Sequence, residues 1–80
     1  MEPYKNLNGD SGVVRYELNK GAITVQFSNG WLYEYTNASA GSDAIATMQR
    51  LAAAGRGLSG FISTTVHNRY SRKIPPETDR

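Results

Sequence analysis

The chain has 80 residues, a formal net charge of +2, no cysteine and one histidine, His67. This length predicts one small domain, and the missing cysteines exclude disulfides and thiolate metal centres. A single histidine does not make a zinc site, so we expect no metal and no cofactor. No apolar run approaches the roughly 20 residues of a membrane span, and the first residues lack the apolar stretch of a signal peptide. These absences predict a cytoplasmic protein with no membrane partner.

Three segments follow along the chain. Residues 1–11 contain Pro, Asn and Gly without periodicity, and we predict a flexible N-terminal lead. Residues 12–73 carry the periodic patterns of one domain. Residues 74–80 begin with Ile74-Pro75-Pro76, and because proline disfavours helix at its own position and before it, we predict a flexible tail.

Three runs in the first half of the domain alternate apolar and polar residues, which indicates strands joined by hairpins. The first turn is the two-residue Lys20-Gly21, which pairs Leu18 with Ile23, Tyr16 with Val25 and Val14 with Phe27. One residue of slip inverts a strand, so the second turn decides which face the aromatic residues occupy. The residues in question are Trp31, Tyr33 and Tyr35.

The second turn has two readings. A two-residue Asn29-Gly30 turn would place the aromatic residues on an exposed platform. A three-residue loop over residues 28–30, with Gly30 left-handed, pairs Val25 with Tyr33 and keeps one face apolar. We favour the second, because a sheet covered on one side should alternate cleanly.

The second half of the domain shows helical spacing. Ser42 is suited to cap a helix that carries Ile45, Met48, Leu51 and Ala52 and stops at Gly55. A further stripe with a four-residue step predicts a second helix that runs to Ile74, although β-branching over residues 62–66 leaves a fourth strand possible. The stripe consists of Leu58, Ile62, Val66 and Tyr70. The predicted fold is α+β: a three-stranded antiparallel meander followed by two α-helices packed on one face.

The order of these residues resembles the KTSC domain, found at the C-terminus of some lysyl-tRNA synthetases and alone in bacteria. The resemblance covers residues 11–73 and rests on Ile23-x-Val25-x-Phe27, the central Tyr33-Glu34-Tyr35, and Phe61-Ile62 further on. Residues 36–57 depart from the family pattern. The resemblance implies this fold, with Tyr33 and Tyr35 as its central motif. It adds RNA binding only as a suggestion, because the family's function is unsettled.

The charges are unevenly distributed. Residues 44–76 contain five basic residues and no acid: Arg50, Arg56, Arg69, Arg72 and Lys73. Such asymmetry suggests an anionic partner, although a solvated basic helix face explains it equally simply. The last three bases would lie late in the second helix and favour its dipole.

Two motifs carry alternative interpretations. The stretch Gly55–Gly60 matches GxGxxG, but a dinucleotide site needs a preceding strand and an acid about 20 residues on; the preceding segment is predicted helical, and the next acid is Glu77. Glycines at a helix stop and a new helix start explain the motif, and an anion held by the backbone amides beside Arg56 stays possible. The tyrosines of the central motif either pack in the core or stack on bases. Trp31, at a strand start, is the best aromatic contact residue.

Catalytic groups are scarce in the sequence. Ser59 and Ser71 have only His67 as a base, no acid between Asp43 and Glu77 can orient that histidine, and the carboxylates are scattered. We therefore expect a non-catalytic module. The first hypothesis is RNA or nucleic-acid binding through the five bases and Trp31. The alternative is a protein–protein or self-association module that covers the free edges of the meander.

Overall fold

The structure, a computed structural model, describes residues 1–7, 9 and 12–76. Its strands form one antiparallel sheet in chain order, and its helices follow the fourth strand. The elements are β1 (Glu2–Pro3), β2 (Val13–Asn19), β3 (Ala22–Phe27), β4 (Leu32–Thr36), α1 (Asn37–Ala40), α2 (Ser42–Ala54), α3 (Leu58–Phe61), a π-helical turn (Ile62–Val66) and β5 (Arg72–Ile74). No helix in the described ranges is long and apolar enough to cross a membrane.

The predicted mixed fold with an antiparallel sheet is confirmed, but its element count is wrong. Within the part of the chain that the structure describes, the sheet has five strands instead of three, and three α-helices occur instead of two. The added strands β1 and β5 are two and three residues long and lie at the two edges. Segments this short show no period-2 pattern, so the sequence could not reveal them.

The register of the central meander is confirmed at both turns. Leu18 pairs with Ile23 across the two-residue turn, and Val25 pairs with Tyr33 across the three-residue loop. The Gly30 amide donates to the Phe27 carbonyl oxygen at 2.8 Å, and Gly30 has a φ of 92°. Only glycine adopts this conformation without strain, and this loop keeps the aromatic residues on the face toward the helices.

The start of β2 differs from the prediction. A bulge between Val13 and Arg15 shifts the pairing, so Phe27 faces Val13 instead of Val14. Val13 is consequently buried, with 1% of its surface exposed, whereas Val14 is 40% exposed. Val13 and Val14 are the same residue type, so the sequence does not show which of them faces the core. The extra residue of the bulge decides that it is Val13.

The chain between β4 and α2 corrects the predicted cap. Ser42 does not cap a helix: it is the first residue of α2, whose N-cap is Gly41, and no side chain caps it. The cap lies six residues earlier, where Thr36 and Ser39 exchange hydrogen bonds in a capping box around α1. The predicted helix stop is confirmed, because Gly55 ends α2 in the left-handed conformation with a φ of 83°.

The second predicted helix ends well before Ile74. Four residues of α3 pass into the π-helical turn, which stops at His67, where φ is 42°. The chain then leaves the helix and returns to the sheet as β5, so Arg69, Arg72 and Lys73 are not helical. The alternative fourth strand over residues 62–66 is also wrong. The predicted apolar stripe is helical and buried only from Leu58 to Val66.

The core lies between the inner face of the sheet and the helices. Its largest fully buried side chains come from both layers: Tyr35, Ile23, Met48, Leu58, Val13, Val25 and Val66. Ile45, Met48 and Ala52 of α2 are buried as their spacing predicts. The outer face carries the polar members of each strand, such as Thr24 and Glu34, which pair directly.

The predicted lead contributes to this core. Tyr4 is buried, its amide donates to Val14, and its hydroxyl accepts a hydrogen bond from the Leu58 amide at 3.3 Å. Ile74, which we had placed in the tail, pairs with Leu32 in the sheet. The rest of the lead and tail predictions concern residues 8, 10, 11 and 77–80, which lie outside the described residues.

Candidate functional site: an aromatic cleft beside β5

The alternation of β4 and β5 places aromatic and basic side chains together at one end of the inner face. Tyr33 pairs with Lys73, so both side chains point toward the helical side of the sheet. Trp31 precedes β4 by one residue and has the parity of Tyr33. The Lys73 Nζ lies 5.0 Å from the centre of the Trp31 ring and 6.0 Å from that of Tyr70. This distance allows a cation–π interaction with Trp31.

The rings at this end contact one another edge to face. Tyr33 lies 5.3 Å from Phe27 and 5.0 Å from Tyr70, measured between ring centres, and Tyr35 lies 6.3 Å from Tyr70. Aromatic pairs favour this geometry over a face-to-face sandwich. The rings therefore hold each other in place at a site that no helix covers completely.

A cleft of about 590 Å³ opens between these rings and the segment from the π-helical turn to Tyr70. We call it the aromatic cleft, defined by Phe27, Tyr33, Tyr70, Ser63, His67 and Asn68. Its floor is aromatic and its rim is polar. A cleft of this volume with an apolar base and a few convergent polar groups is typical of a binding site.

Tyr35 forms the deep end of the cleft and behaves differently from its neighbour Tyr33. Only 1% of Tyr35 is exposed, whereas Tyr33 is half-buried. The Tyr35 hydroxyl donates to the His67 carbonyl oxygen at 3.3 Å. Burial, together with the nearby Tyr33 and Tyr70, raises the pKa of Tyr35 to about 12. The tyrosine motif thus divides into one core residue and one residue that reaches the cleft.

The backbone at the rim is irregular. The His67 amide donates to the Ile62 carbonyl oxygen at 2.7 Å, which closes the π-helical turn. His67 itself has φ 42° and ψ −110°, outside the regions that a side-chain-bearing residue normally occupies. Irregular helical turns and sparsely populated backbone conformations cluster at functional sites.

The structure separates the predicted bases. Arg72 and Lys73 are adjacent in β5 and therefore point to opposite faces of the sheet. Arg72 forms a 2.8 Å ion pair with Glu34 on the outer face, with its side chain 67% exposed. A pair this exposed stabilises the fold by less than about 1 kcal/mol. Lys73 is on the cleft side, and Arg69 lies exposed in the segment between the cleft and β5.

The other two predicted bases lie elsewhere. Arg50 is exposed on α2, and Arg56 is exposed in the turn that follows it. The neighbouring Gly55 accepts a hydrogen bond from Leu7, just beyond β1, and β1 is the edge of the sheet opposite β5. Arg56 therefore follows a residue bonded to the chain beyond β1, whereas Lys73 lies in β5 at the other edge of the sheet. Two side-by-side helices do not carry the five bases together, because Arg69, Arg72 and Lys73 lie outside the helices.

The contacts of the glycine-rich turn, Gly55–Gly60, give Gly55 and Gly57 structural roles. Gly57 precedes a helix of only four residues, and the Leu58 amide donates to Tyr4. An added Cβ at Gly55 would lie 2.6 Å from the Lys5 Cβ, so glycine here permits both a left-handed stop and a close approach. The positive φ of Gly55 and Gly57 explains two glycines of the GxGxxG match without a ligand, whereas Gly60 lies inside α3 with open space around it.

Sequence reasoning missed Tyr70, His67 and Asn68 as site residues. The spacing predicts Tyr70 as part of the helical stripe, and His67 and Asn68 fall within the same predicted helix. The adjacent His67 and Asn68 are the sequence signal that could have predicted a turn here, since both residue types tolerate a left-handed backbone and favour turns. Trp31 is half-buried at the strand start, the position that its place in the sequence predicts.

No family model, curated protein or solved structure matches this chain. The resemblance to the KTSC domain stays a prediction from the residues. The functional argument consequently rests on the geometry of the aromatic cleft. Among the described residues, no three His, Cys, Asp or Glu side chains gather where a metal ion could be held.

Proposed function

We propose that this protein is a small non-catalytic binding module for RNA or another single-stranded nucleic acid, held along the β5 edge. The observation that carries the proposal is Lys73 above Trp31, at 5.0 Å from the ring centre. A cation on the edge strand β5 lies over a half-buried aromatic ring that precedes the neighbouring strand β4, next to an open cleft. Proteins that bind single strands combine these two elements, with cations on the phosphates and rings under the bases.

The charges beside the cleft support an anionic partner. The Lys73 Nζ lies 6.0 Å from the ring centre of Tyr70, a lining residue, and the exposed Arg69 lies between two lining residues in the chain, while Glu34, the acid of β4, points to the opposite face and pairs with Arg72. No carboxylate lines the aromatic cleft within the described residues. In this proposal the bases near β5 contact phosphates: Lys73, Arg69 and Arg72. Arg50 and Arg56 contact phosphates only when the nucleic acid is long enough to pass around the helices. The resemblance to a domain of a tRNA enzyme points the same way.

The test is a titration of a labelled single-stranded oligoribonucleotide, followed by fluorescence anisotropy at several salt concentrations. We expect binding at low salt that weakens as salt rises, because phosphate contacts release counterions. Lys73→Gln should weaken binding several-fold and make the slope of log K against log salt shallower by about 0.7, the value for one phosphate contact on a single strand.

Lys20→Gln is the matched control. Lys20 is exposed in the β2–β3 turn and carries the same charge, so its loss changes the net charge equally. We expect this variant to bind like the wild type. The proposal fails if no RNA binds at low salt, or if both substitutions weaken binding to the same extent.

A second candidate function is self-association through the opposite edge. β1 covers only Arg15 and Tyr16 of β2, and the exposed apolar side chains of Met1 and Leu18 flank a shallow groove there. An edge strand with free backbone groups and apolar neighbours can pair with another chain. Light scattering over a dilution series distinguishes this candidate, since it requires a mass that falls on dilution.

A further inference from the structure

The aromatic cleft is deeper than phosphate binding requires. Cations on a flat edge would suffice to hold a backbone, yet beside Lys73 the fold keeps an opening of about 590 Å³ between Tyr33, Tyr70 and the π-helical turn. We infer that an unpaired base of the bound strand enters this cleft, so that the module takes single strands and rejects duplexes. This inference rests on the proposed function and names the form of nucleic acid that the site accepts.

The ring geometry suits a flat, uncharged ligand. Tyr33 and Tyr70 meet at an interplanar angle of 72°, and Phe27 and Tyr33 meet at 75°. A planar base that lies on one of these rings meets the edge of the next, which reproduces the arrangement that the rings already make with each other. Stacking of this kind is available only to a base that has left its duplex partner.

The rim offers hydrogen bonds for the edge of a base. Ser63, His67 and Asn68 are exposed at the mouth, and their side chains can both donate and accept. An amide and an imidazole at a mouth above aromatic rings can meet the Watson–Crick edge of an extruded base, as sites that recognise extruded bases generally do. No comparable polar rim is needed for a peptide held by an apolar side chain.

The backbone provides an observation independent of the rings. The π-helical turn widens the helix at Ile62–Val66, and the unusual conformation of His67 then turns the chain across the mouth. Had the four-residue stripe continued as a helix, Tyr70 would lie on that helix and the cleft would not form. Conformations of this cost persist where the surrounding structure holds them, commonly at ligand sites.

Charge selects the occupant. The cleft contains no acid among its described lining residues, Lys73 lies near the ring of Tyr70, and Arg69 is exposed between the lining residues Asn68 and Tyr70. When a base enters the cleft, the base contacts the aromatic floor and its phosphates reach the basic residues beside the rim. An aromatic side chain of a protein partner would use only the floor.

The experiment blocks the mouth without altering charge. Ser63 and Thr64 are adjacent and exposed in the π-helical turn, and the hydroxyl of each can bond to a backbone oxygen one turn earlier. Only Ser63 lines the cleft. Ser63→Phe should fill the mouth, and Thr64→Phe is the matched control on the same turn. Far-UV circular dichroism and thermal unfolding establish that both variants fold.

Three probes of equal length are titrated into each protein: a single-stranded oligoribonucleotide, the same phosphate backbone without bases, and a duplex. We expect the wild type and Thr64→Phe to bind the complete single strand about tenfold more tightly than the baseless backbone and the duplex. For Ser63→Phe this preference should disappear, while its binding to the baseless backbone stays unchanged. Trp31 is the only tryptophan and its ring centre lies 5.0 Å from the Lys73 Nζ, so its fluorescence reports on binding beside the cleft.

Two outcomes overturn the inference, and they differ in what survives. If the baseless backbone and the complete strand bind equally, or if Ser63→Phe keeps the preference for bases, the cleft does not take a base, while phosphate binding along β5 stands. If none of the three probes binds at low salt, the proposed function fails as well.

Discussion

The two ends of the sheet's inner face are closed by different means. Under α2, side chains such as Met48 and Ile23 are fully buried and touch aliphatic neighbours. Beside β5, the same face is covered by Tyr33 and Tyr70, which are only half-buried and meet edge to face. Aliphatic packing fills space and stabilises the fold, whereas rings set at right angles leave room between them. Tight packing is therefore concentrated at one end, and the binding site that we propose lies at the other.

The largest effect tests this division directly. Met48→Ala removes a fully buried side chain beneath α2, and we expect a loss of about 2–5 kcal/mol in the free energy of unfolding, since the cavity cannot collapse completely. Asn68→Ala at the rim of the aromatic cleft should change stability by less than about 0.5 kcal/mol. Urea denaturation followed by circular dichroism measures both.

Equal losses in the two variants would remove the distinction between a packed end and an open end. A loss in Asn68→Ala as large as that in Met48→Ala would mean that the rim is part of the folding core. In that case the open shape of the cleft could not be attributed to a binding role.

The packed end is also the part that the sequence predicts best. Strict alternation fixed the register of β2 to β4, and the spacing of Ile45, Met48 and Ala52 fixed the buried face of α2. Both patterns are direct consequences of burying one face of an element, so they are legible from residue order. The exception is the bulge that buries Val13 in place of Val14.

The open end escaped prediction for a physical reason. The four-residue step of Leu58, Ile62 and Val66 continues to Tyr70, and a π-helical turn leaves no separate mark in such a stripe. The helix stop at His67 depends on a left-handed backbone in a residue that also occurs inside helices. Because the spacing predicts a helix through Tyr70, the sequence predicts neither the aromatic cleft nor the position of Lys73 above Trp31.

Tyr35 lies where the two ends meet, and its ionisation gives the next largest effect. Its pKa is raised from an ordinary value of 10.0 to about 12, because the charged phenolate would be desolvated and would lie near Tyr33 and Tyr70. The folded protein therefore holds this proton more tightly than the unfolded chain does. The resulting stabilisation is complete below pH 10 and is lost as the pH rises through 12. The full loss is at most about 2–3 kcal/mol and is smaller to the extent that solvent screens the phenolate.

Urea denaturation at a series of pH values from neutral to strongly alkaline tests this prediction, with Tyr35→Phe as the matched variant. The variant lacks the titrating group, so its stability should fall less between pH 10 and 12 than that of the wild type. At neutral pH it should lose only about 0.5–1.5 kcal/mol, for the hydrogen bond to the His67 carbonyl oxygen. Parallel alkaline profiles of the two proteins would contradict the assignment.

The smallest effect concerns the turn by which β4 enters the helical layer, on the packed side. Thr36 and Ser39 form a reciprocal capping box there, whereas Ser42, the capping residue that the sequence suggested, makes no capping hydrogen bond. Thr36→Ala should therefore destabilise the protein by about 1 kcal/mol, and Ser42→Ala should be close to neutral. Thermal unfolding of the two variants in parallel gives the comparison. A larger loss in Ser42→Ala would restore the cap to the start of α2 and make the short helix α1 an incidental turn. If the predicted order holds, the packed end is fixed by local hydrogen bonds at its entry as well as by burial, whereas the non-helical segment from His67 to Tyr70 lines the cleft in which we propose that a ligand binds.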